Sequence, residues 1–213
     1  RTERKESGVR EPITMEITVT NLSKSFDGRK VFSQVSQTFR TGDIYCLMGT
    51  SGSGKTTFFR ILLGLDQPDS GTVSGTEGAF LSAVFQENRL CESFSSLDNV
   101  LMVFPKVTKE IREAVKEDLC KLLPEESIYR PVSTLSGGMK RRVAVCRALA
   151  VPFDAVLMDE PFTGLDEDTR RKVIEFVKQK TAGKLAIIST HQEEDVPLLG
   201  GSLIRLTAEE KGI

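Results

Sequence analysis

The stretch from Gly49 to Thr56, which reads GTSGSGKT, decides the fold of this chain. The apolar run DIYCLMG precedes it and is typical of a buried strand in a parallel sheet. Apolar residues recur at helical spacing from Phe58 to Leu63, which predicts a helix directly after the loop. A GxxxxGK[ST] pattern between a strand and a helix is the context of a phosphate-binding loop. The sequence therefore predicts an α/β fold with a phosphate-binding loop.

The residue types of this loop suit the binding of a nucleotide phosphate. Its glycines let backbone N–H groups curl around phosphate oxygens, and the start of the helix adds a partial positive charge. We expect Lys55 to reach the β- and γ-phosphates and the hydroxyl of Thr56 to bind Mg²⁺. A glycine-rich turn that binds no ligand is the alternative. The expected nucleotide contacts are Gly49, Thr50, Ser51, Gly52, Ser53, Gly54, Lys55, Thr56 and Thr57.

Strand-like and helix-like segments alternate along most of the chain. MEITVTNL predicts a first strand, and the alternating VFSQVSQTF predicts a half-buried antiparallel strand. AFLSAVF, DAVLMD, LAIIST and SLIRL predict further strands, while residues 136–150 and about 167–181 predict helices. Pro68–Gly71 has the residue types of a turn. This alternation implies a mostly parallel sheet that is covered by helices on both faces.

The middle of the chain, from about residue 88 to residue 133, has a different pattern. LDNVLMVF and KEIREAVKEDLCKLL predict helices, and Pro124 closes the second of them. We therefore expect a helical subdomain at about residues 89–133, inserted into the α/β core.

An acidic pair, Asp159 and Glu160, follows the apolar run VLM. An acid at the carboxyl end of a buried strand is placed beside the phosphate loop in such sheets. We expect Asp159 to hold Mg²⁺ directly or through water, and Glu160 to orient or deprotonate an attacking water. Loop carboxylates without a catalytic role are the alternative.

A second anion-binding helix start is predicted at LSGGM, residues 135–139. Ser136 is expected to cap the helix, and Gly137 and Gly138 keep its first turn open to a close ligand. One nucleotide rarely needs two such helix starts from one chain. We therefore expect the second to serve a nucleotide held by another subunit, with an ordinary capped helix as the alternative.

Composition excludes several classes of protein. Lys and Arg number 29 against 30 Asp and Glu, so a large positive field for nucleic acid is absent. No apolar run approaches the roughly 20 residues that a bilayer span needs. The cysteines, Cys46, Cys91, Cys120 and Cys146, lack CxxC spacing, so a zinc site has no support. They are typical of reduced thiols in the cytosol, with Cys46 and Cys146 as buried small hydrophobes.

These motifs resemble those of the nucleotide-binding domain of an ABC ATPase, over residues from about 15 to 206. GTSGSGKT resembles the Walker A motif, VLMDE resembles Walker B with its catalytic glutamate, and LSGGM stands where the family usually has LSGGQ. Gln86 in VFQEN resembles the Q-loop glutamine, and Asp166 in TGLD resembles the D-loop aspartate. His191 in STHQEED, the single histidine of the chain, resembles the switch histidine.

Three positions depart from the family pattern. Phe26, in SKSFDG, stands where an adenine-stacking tyrosine is usual, and it keeps the aromatic face. A core phenylalanine is the alternative for that position. Met139 replaces the glutamine of the signature, and Cys146 stands where alanine is more usual. We expect little functional effect from either of these two.

The resemblance implies an α/β P-loop NTPase with a RecA-like core, a mostly parallel sheet, an N-terminal antiparallel β-subdomain and an inserted helical subdomain. It implies a single ABC ATPase domain over residues 15–207, between a charged leader at 1–14 and a tail at 208–213. Met15 is the expected natural start, with an ordered N-terminal arm as the alternative. ATP and Mg²⁺ are the implied cofactors, and Gln86 joins Thr56 and Asp159 as an implied metal ligand.

The implied mechanism is an ATP-driven, head-to-tail dimer with two shared sites. Glu160, His191, Gln86 and Lys55 are the implied catalytic residues, and Phe26 and Asp166 are implied nucleotide contacts. Each site combines two sets of residues. One chain supplies Lys55, Thr56, Gln86, Asp159, Glu160 and His191, and the other supplies Ser136, Gly137 and Gly138.

The resemblance also implies partners and a place in the cell. Integral membrane transporter subunits and a second ATPase chain, identical or different, are the expected partners, on the cytoplasmic face of the membrane. VFQENRLCESFSSLDNV and LSGGMKRRVAVCRAL resemble nutrient importers of the nitrate, sulfonate and taurine group. An exporter subunit, a soluble ABC-type ATPase that acts on DNA or ribosomes, and a small-molecule P-loop kinase are the alternatives.

Overall fold

The computed structural model describes residues 14 to 206. The expected tail at 208–213 and the expected leader, apart from residue 14, lie outside the described residues. The strands are β1 (Glu16–Phe26), β2 (Arg29–Arg40), β3 (Ile44–Met48), β4 (Ser70–Ser74), β5 (Leu81–Val84), β6 (Ala155–Met158), β7 (Leu185–Ser189) and β8 (Ser202–Arg205). The helices are α1 (Lys55–Leu62), α2 (Ser96–Leu101), α3 (Lys109–Leu122), α4 (Glu125–Ile128), α5 (Gly137–Ala150), α6 (Glu167–Thr181) and α7 (Asp195–Leu199).

Three strands, paired in the order β2-β1-β4, form a separate antiparallel sheet. β1 and β2 are joined by Asp27 and Gly28, whose φ angles of 49° and 76° are both positive. An Asp-Gly pair is the preferred sequence for a two-residue hairpin turn of this geometry, because glycine and aspartate tolerate the left-handed region. The predicted antiparallel strand VFSQVSQTF is therefore confirmed as β2.

The expected turn at Pro68–Gly71 is wrong in its second half, because Ser70 and Gly71 already belong to β4. Gly71 has a φ of 85°, and a Cβ there would lie 2.4 Å from the carbonyl oxygen of Asn21 on β1. Glycine inside a strand permits such a close backbone approach. β4 has only five residues and carries this glycine, so its sequence has the composition of a turn.

The second sheet has five parallel strands in the order β5-β6-β7-β3-β8. β6 and β7 are fully buried, as continuous apolar runs predict for a sheet covered on both faces. The carboxyl ends of these strands lie along one edge. The segments that carry chemistry start there: residues 49–56 after β3, Gln86 after β5, Asp159 after β6 and His191 after β7. The mixed α/β fold with its mostly parallel sheet is as the sequence predicts.

Alternate residues of the parallel strands enter two different hydrophobic clusters. Leu47 and Leu157 join a cluster with α1 and the antiparallel sheet, where the rings of Phe32 and Phe58 meet edge to face at 5.9 Å. Cys46 joins the other cluster, which contains α2, α3, α5 and α6. Side chains alternate between the two faces of a strand, so both faces of the sheet are buried.

The elements between β5 and α5 are helical, in agreement with the sequence pattern. The segment LDNVLMVF is helical only as far as Leu101, because α2 ends there. Asp118 on α3 pairs with Lys180 on α6, which ties the helical segment to the core. Within residues 14–206, no helix combines the length and the apolarity that a bilayer crossing requires.

Candidate active site

A cleft of about 310 Å³ lies at the carboxyl edge of the parallel sheet. It is bounded by the loop between β3 and α1 and by the residues that follow β5, β6 and β7. The structure thus brings together segments that are more than 100 residues apart in the chain. The residues that line the cleft are Val31, Ser51, Gly52, Gly54, Lys55, Thr56, Thr57, Gln86, Glu160 and His191.

The loop enters α1 through Gly54, whose φ of 87° lies in the left-handed region. A Cβ on Gly54 would lie 2.2 Å from Cγ1 of Val31 and 2.9 Å from Cδ1 of Phe32 on β2. Both the backbone angle and the lack of space therefore require glycine here. The first backbone N–H groups of α1, which have no partner within the helix, begin at this point.

Two polar side chains of the loop are buried, and only one of them has hydrogen-bond partners. Lys55 is 6% exposed, and its Nζ donates to the carbonyl oxygens of Gly49, at 2.9 Å, and Thr50, at 3.4 Å. The hydroxyl of Ser53 is fully buried and has no hydrogen-bond partner. Such an orphaned polar atom is costly unless a ligand or water satisfies it. The loop therefore fits a phosphate group.

Asp159, which is buried, has a partner on each carboxylate oxygen. Thr56 donates to Oδ2 at 2.5 Å and Ser189 donates to Oδ1 at 2.7 Å. Mg²⁺ in nucleotide sites is usually held by one or two protein oxygens together with phosphates and water. Among residues 14–206 there is no group of three or more His, Cys, Asp or Glu that could hold a metal alone. One carboxylate and one hydroxyl fit Mg²⁺ bound together with a nucleotide.

Glu160 has a strained backbone. Its φ of 51° is unusual for a residue with a side chain, and more so before Pro161. Such conformations cost about 1–3 kcal/mol and persist only where the surroundings impose them. The N–H of Glu160 donates to Oγ of Ser189 at 2.9 Å. On the side chain, Oε1 lies 2.5 Å from Nε2 of His191.

A second cavity, of about 650 Å³, adjoins the cleft and shares Val31 and Gly52 with it. Phe26 lines this cavity and is 50% exposed. Arg29 and Lys30 line it as well. An exposed aromatic face suits the stacking of a base. This exposure also argues against the alternative of a core phenylalanine.

The residues of the predicted second helix start lie outside both cavities. Ser136 caps α5 by accepting from the N–H of Met139 at 3.2 Å. A Cβ on Gly138 would lie 3.0 Å from the carbonyl oxygen of Gly164, whereas one on Gly137 would meet open space. The structure therefore places the two glycines differently: Gly138 packs on its own chain, and Gly137 is open.

Asp166 also lies outside the two cavities and caps α6. Its carboxylate accepts from the backbone N–H and the hydroxyl of Thr169, at 2.9 and 2.8 Å. These two hydrogen bonds lower the pKa of Asp166. Within this chain its carboxylate therefore serves the start of the helix.

Sequence reasoning missed two residues of this region, Ser189 and Arg141. Ser189 ends β7 next to β6, and its hydroxyl connects the carboxylate of Asp159 with the backbone of Glu160. Its place at a strand end beside the acidic pair is a signal that could have found it. Arg141 donates to carbonyl groups of Asp159 and Glu160 from α5. Nothing in the local sequence predicts that contact.

Comparisons with known sequences agree with this architecture. A family model described as ABC transporter matches residues 32–163. The spermidine/putrescine import ATP-binding protein PotA of Marinobacter nauticus is 34% identical over 193 residues, which cover 84% of this chain and 52% of that protein. The sulfate/thiosulfate import ATP-binding protein CysA of Escherichia coli strain K12 is 34% identical over 199 residues, 85% of this chain and 54% of that protein. The chain thus spans about half the length of the curated relatives it matches.

Two solved structures show the same fold. A dimeric structure of the ATP-binding cassette MJ0796, in a post-hydrolysis state bound to ADP and Pi, has a TM-score of 0.79 and 25% identity. That match covers 92% of this chain and 100% of the cassette. A dimeric structure of the same cassette, described as a bacterial ABC transporter cassette, has a TM-score of 0.80 and 27% identity, and covers 90% and 94%.

Proposed function

This chain belongs to the ABC transporter family, and from that premise we propose that it binds and hydrolyses ATP as the energy-coupling part of a membrane transporter. The observation that carries the proposal is the cleft itself. Lys55, Thr56, Gln86, Glu160 and His191 come from four separate segments and face one space of about 310 Å³. Convergent polar groups in a cleft are the expected form of an active site.

We assign the phosphates of ATP to the loop and the base to the adjoining cavity. Residues 49–57 supply backbone N–H groups, Lys55 supplies a positive charge, and Ser53 supplies a buried hydroxyl that lacks a partner. Phe26 offers its exposed face to the adenine. The two cavities share Val31 and Gly52, so one nucleotide can extend across both.

Thr56 and Asp159 would hold Mg²⁺, with Gln86 as a third protein ligand from the loop after β5. When bound, Mg²⁺ supplies positive charge that compensates the phosphate oxygens. The hydroxyl of Ser189 keeps Asp159 turned toward Thr56 through its bond to Oδ1. Asp159 is buried, so its charge is little screened by solvent.

Glu160 is proposed to accept a proton from the attacking water, and His191 to orient that carboxylate. Nε2 of His191 and Oε1 of Glu160 are in contact at 2.5 Å. The other carboxylate oxygen, Oε2, accepts from the hydroxyl of Thr163 at 3.3 Å. A carboxylate with a partner on each oxygen is suited to general-base catalysis, because it is preorganised and does not have to reorient during the reaction.

We propose that a second ATPase chain completes the site. Ser136, Gly137 and Gly138 start a helix that does not line the nucleotide cleft of its own chain, and Gly137 is open. A nucleotide with its phosphates between two helix N-termini could therefore hold two chains together head to tail. Both MJ0796 cassette structures are described as dimeric. Asp166 directly follows Gly164 and Leu165, which adjoin Gly138, and it would therefore lie near that contact.

Import is the direction we propose for the transporter. PotA and CysA are both named as import ATP-binding proteins, which supports this direction. The stretches around Gln86 and Ser136 further support a place near the nitrate, sulfonate and taurine importers. The partners would be integral membrane subunits, with this chain peripheral on the cytoplasmic face. Residues 89–133 would form the helical subdomain of a single ABC ATPase domain that extends over 15–207.

The test is the variant Glu160→Gln, which removes the base and keeps the shape. We expect turnover to fall by at least about 100-fold while ATP binding is retained. Light scattering should then show a monomer without ATP and a dimer with ATP. Glu110→Gln, an exposed change on α3, is the matched control and should behave as wild type.

One result would contradict the proposed base, and another would change the identity of the proposed partner. Turnover of Glu160→Gln within about tenfold of wild type would remove the general-base assignment. A variant that binds ATP and stays monomeric would exclude a self-sufficient homodimer. In that case a different ATPase chain or the membrane subunit supplies the closing energy, and co-purification with an integral membrane protein identifies which.

A further inference from the structure

One guanidinium, that of Arg141, connects α5 with two segments of the candidate site, the one after β5 and the one after β6. Its Nη1 donates to the carbonyl oxygens of Phe85, at 2.5 Å, and Gln86, at 3.3 Å, and to Oδ1 of Asn88 at 3.2 Å. Its Nε and Nη2 donate to the carbonyl oxygen of Glu160 at 3.1 and 2.8 Å, and Nη2 also donates to that of Asp159. The side chain is buried, at 5% exposure of the residue.

The contact with Glu160 falls on a strained part of the backbone. Glu160 has a positive φ before a proline, so its conformation has to be imposed by neighbours. Ser189 holds its N–H, and Arg141 holds its carbonyl oxygen through two donors. The side chain of Glu160 then reaches His191. The backbone of the proposed base is thus hydrogen-bonded on both sides, and one of the two residues that bond it, Arg141, belongs to α5.

We propose that Arg141 is a positioning residue that holds Glu160 in its productive conformation and couples it to the loop of Gln86. The proposal rests on the function proposed above and deepens it. A planar guanidinium presents its donors in a fixed fork, so the carbonyls on its two edges keep a constant spacing. α5 begins at the helix start that is assigned to the partner's nucleotide. A shift of α5 would therefore move the Gln86 loop and the backbone of Glu160 together.

The other basic residues of α5 lack this connection. Arg147 donates to the carbonyl oxygens of Arg89, at 2.8 Å, and Asn88, at 3.0 Å, on the same loop, but has no contact with Glu160. Arg142 donates to the carbonyl oxygens of Leu122 and Gly138. Arg147 is therefore the matched control, because it shares the helix, the charge and the loop, and lacks the link to the proposed base.

The single histidine of the chain gives a direct readout that needs no turnover. In the absence of nucleotide, at one fixed pH and with any affinity tag removed, the Cε1–H cross-peak of His191 reports its contact with Glu160. The variant Glu160→Gln shows where this cross-peak lies when the contact between His191 and residue 160 is altered. We expect Arg141→Met to move the cross-peak away from wild type, toward that position. Arg147→Met should leave it in place.

Kinetics provide the second readout. Arg141→Met should lower kcat for ATP hydrolysis by up to about 100-fold, because a small misplacement of a catalytic group is that costly. KM for ATP should stay within about threefold, since the phosphate loop is untouched. Arg141→Lys keeps the charge but cannot span both sets of carbonyls, so it should not restore kcat. If Arg141→Met does not give a folded spectrum, Arg141→Gln, which keeps two N–H donors, replaces it with the same expectations.

The outcomes separate this proposal from the proposed function. A folded Arg141 variant with the wild-type cross-peak and wild-type kcat overturns the positioning role while ATP hydrolysis stands. Full recovery of kcat by Arg141→Lys also overturns it, because charge alone would then suffice. A wild-type protein that binds no ATP overturns the proposed function, whereas the cross-peak still decides whether Arg141 positions Glu160.

Discussion

The hydroxyl of Thr56 donates a hydrogen bond of 2.5 Å to Oδ2 of Asp159, across 103 residues of sequence. Thr56 lies in the first turn of α1 and Asp159 directly follows β6. Two of the three proposed protein ligands of Mg²⁺ are thus already in contact, and Ser189 holds the second oxygen of the carboxylate. A preassembled pair of oxygens binds a cation without first having to order two side chains.

Replacement of Asp159 by Asn should weaken the binding of Mg²⁺, so that more Mg²⁺ is needed to support ATP binding. Asn keeps the shape but removes the charge that attracts the cation. Loss of a hydrogen-bond partner of a metal ligand lowers metal affinity by roughly 10- to 100-fold. For Asp159→Asn, the Mg²⁺ concentration that gives half of the full increase in ATP affinity should rise by more than this. For Ser189→Ala, which removes only a hydrogen-bond partner of Asp159, the same Mg²⁺ concentration should rise within that range. The measurement is ATP affinity by calorimetry across a Mg²⁺ series. Equal Mg²⁺ dependence of wild type and Asp159→Asn would exclude Asp159 as a ligand.

Lys55→Ala should reduce ATP affinity by at least about tenfold, because a hydrogen bond to a charged group contributes about 1.5–3 kcal/mol. Lys55 is buried, so the thermal midpoint of the variant is measured first to establish that it is folded. Titration with ATP in a calorimeter then gives the affinity. Lys109→Ala, at the exposed start of α3, is the control. Unchanged affinity in Lys55→Ala would remove the phosphate-loop assignment.

Phe26→Ala should lower ATP affinity by about tenfold or more, since stacking of a base on an aromatic ring contributes about 1–3 kcal/mol. Phe26→Tyr should retain the affinity, because the ring face is preserved. Half of Phe26 is exposed, so the free energy of unfolding should change little. Phe80→Ala, which truncates an exposed ring away from the two cavities, controls for lost apolar surface. Equal affinity of Phe26→Ala and wild type would place the base elsewhere.

Cys46 should make the protein less stable at high pH. Burial raises the pKa of its thiol to about 11 from 9.0, and the negative charge of Asp195 adds to the effect. Above about pH 9 the unfolded thiol ionises while the folded thiol stays neutral, so rising pH favours the unfolded state until about pH 11. Denaturant midpoints of wild type should therefore fall across this range more steeply than those of Cys46→Ala. Cys120→Ala removes an exposed thiol and should show the same pH dependence as wild type. If the denaturant midpoints of wild type and Cys46→Ala fall equally steeply with pH, the predicted effect of Cys46 is contradicted.

Much of the fold could be predicted from local pattern. α6 runs from Glu167 to Thr181 as expected, since its apolar spacing and its capping Asp166 are both local signals. The buried strands and the strand-loop-helix context of residues 49–56 were equally clear. β4 was missed because a five-residue strand with a glycine at a close approach has the composition of a turn. Its existence depends on pairing with β1.

Residue types and spacing along the chain were enough to determine the family, the order of strands and helices apart from β4, and the loop that would bind phosphates, because these depend on short-range periodicity and on motifs. Tertiary structure alone decided which side chains meet. The bond of Ser189 to Asp159, the contact of His191 with Glu160 and the bridge from Arg141 to Glu160 join residues that are 19 to 31 positions apart in the chain. Such contacts arise only when parallel strands align their carboxyl ends and α5 packs beside them, and no local pattern encodes that alignment.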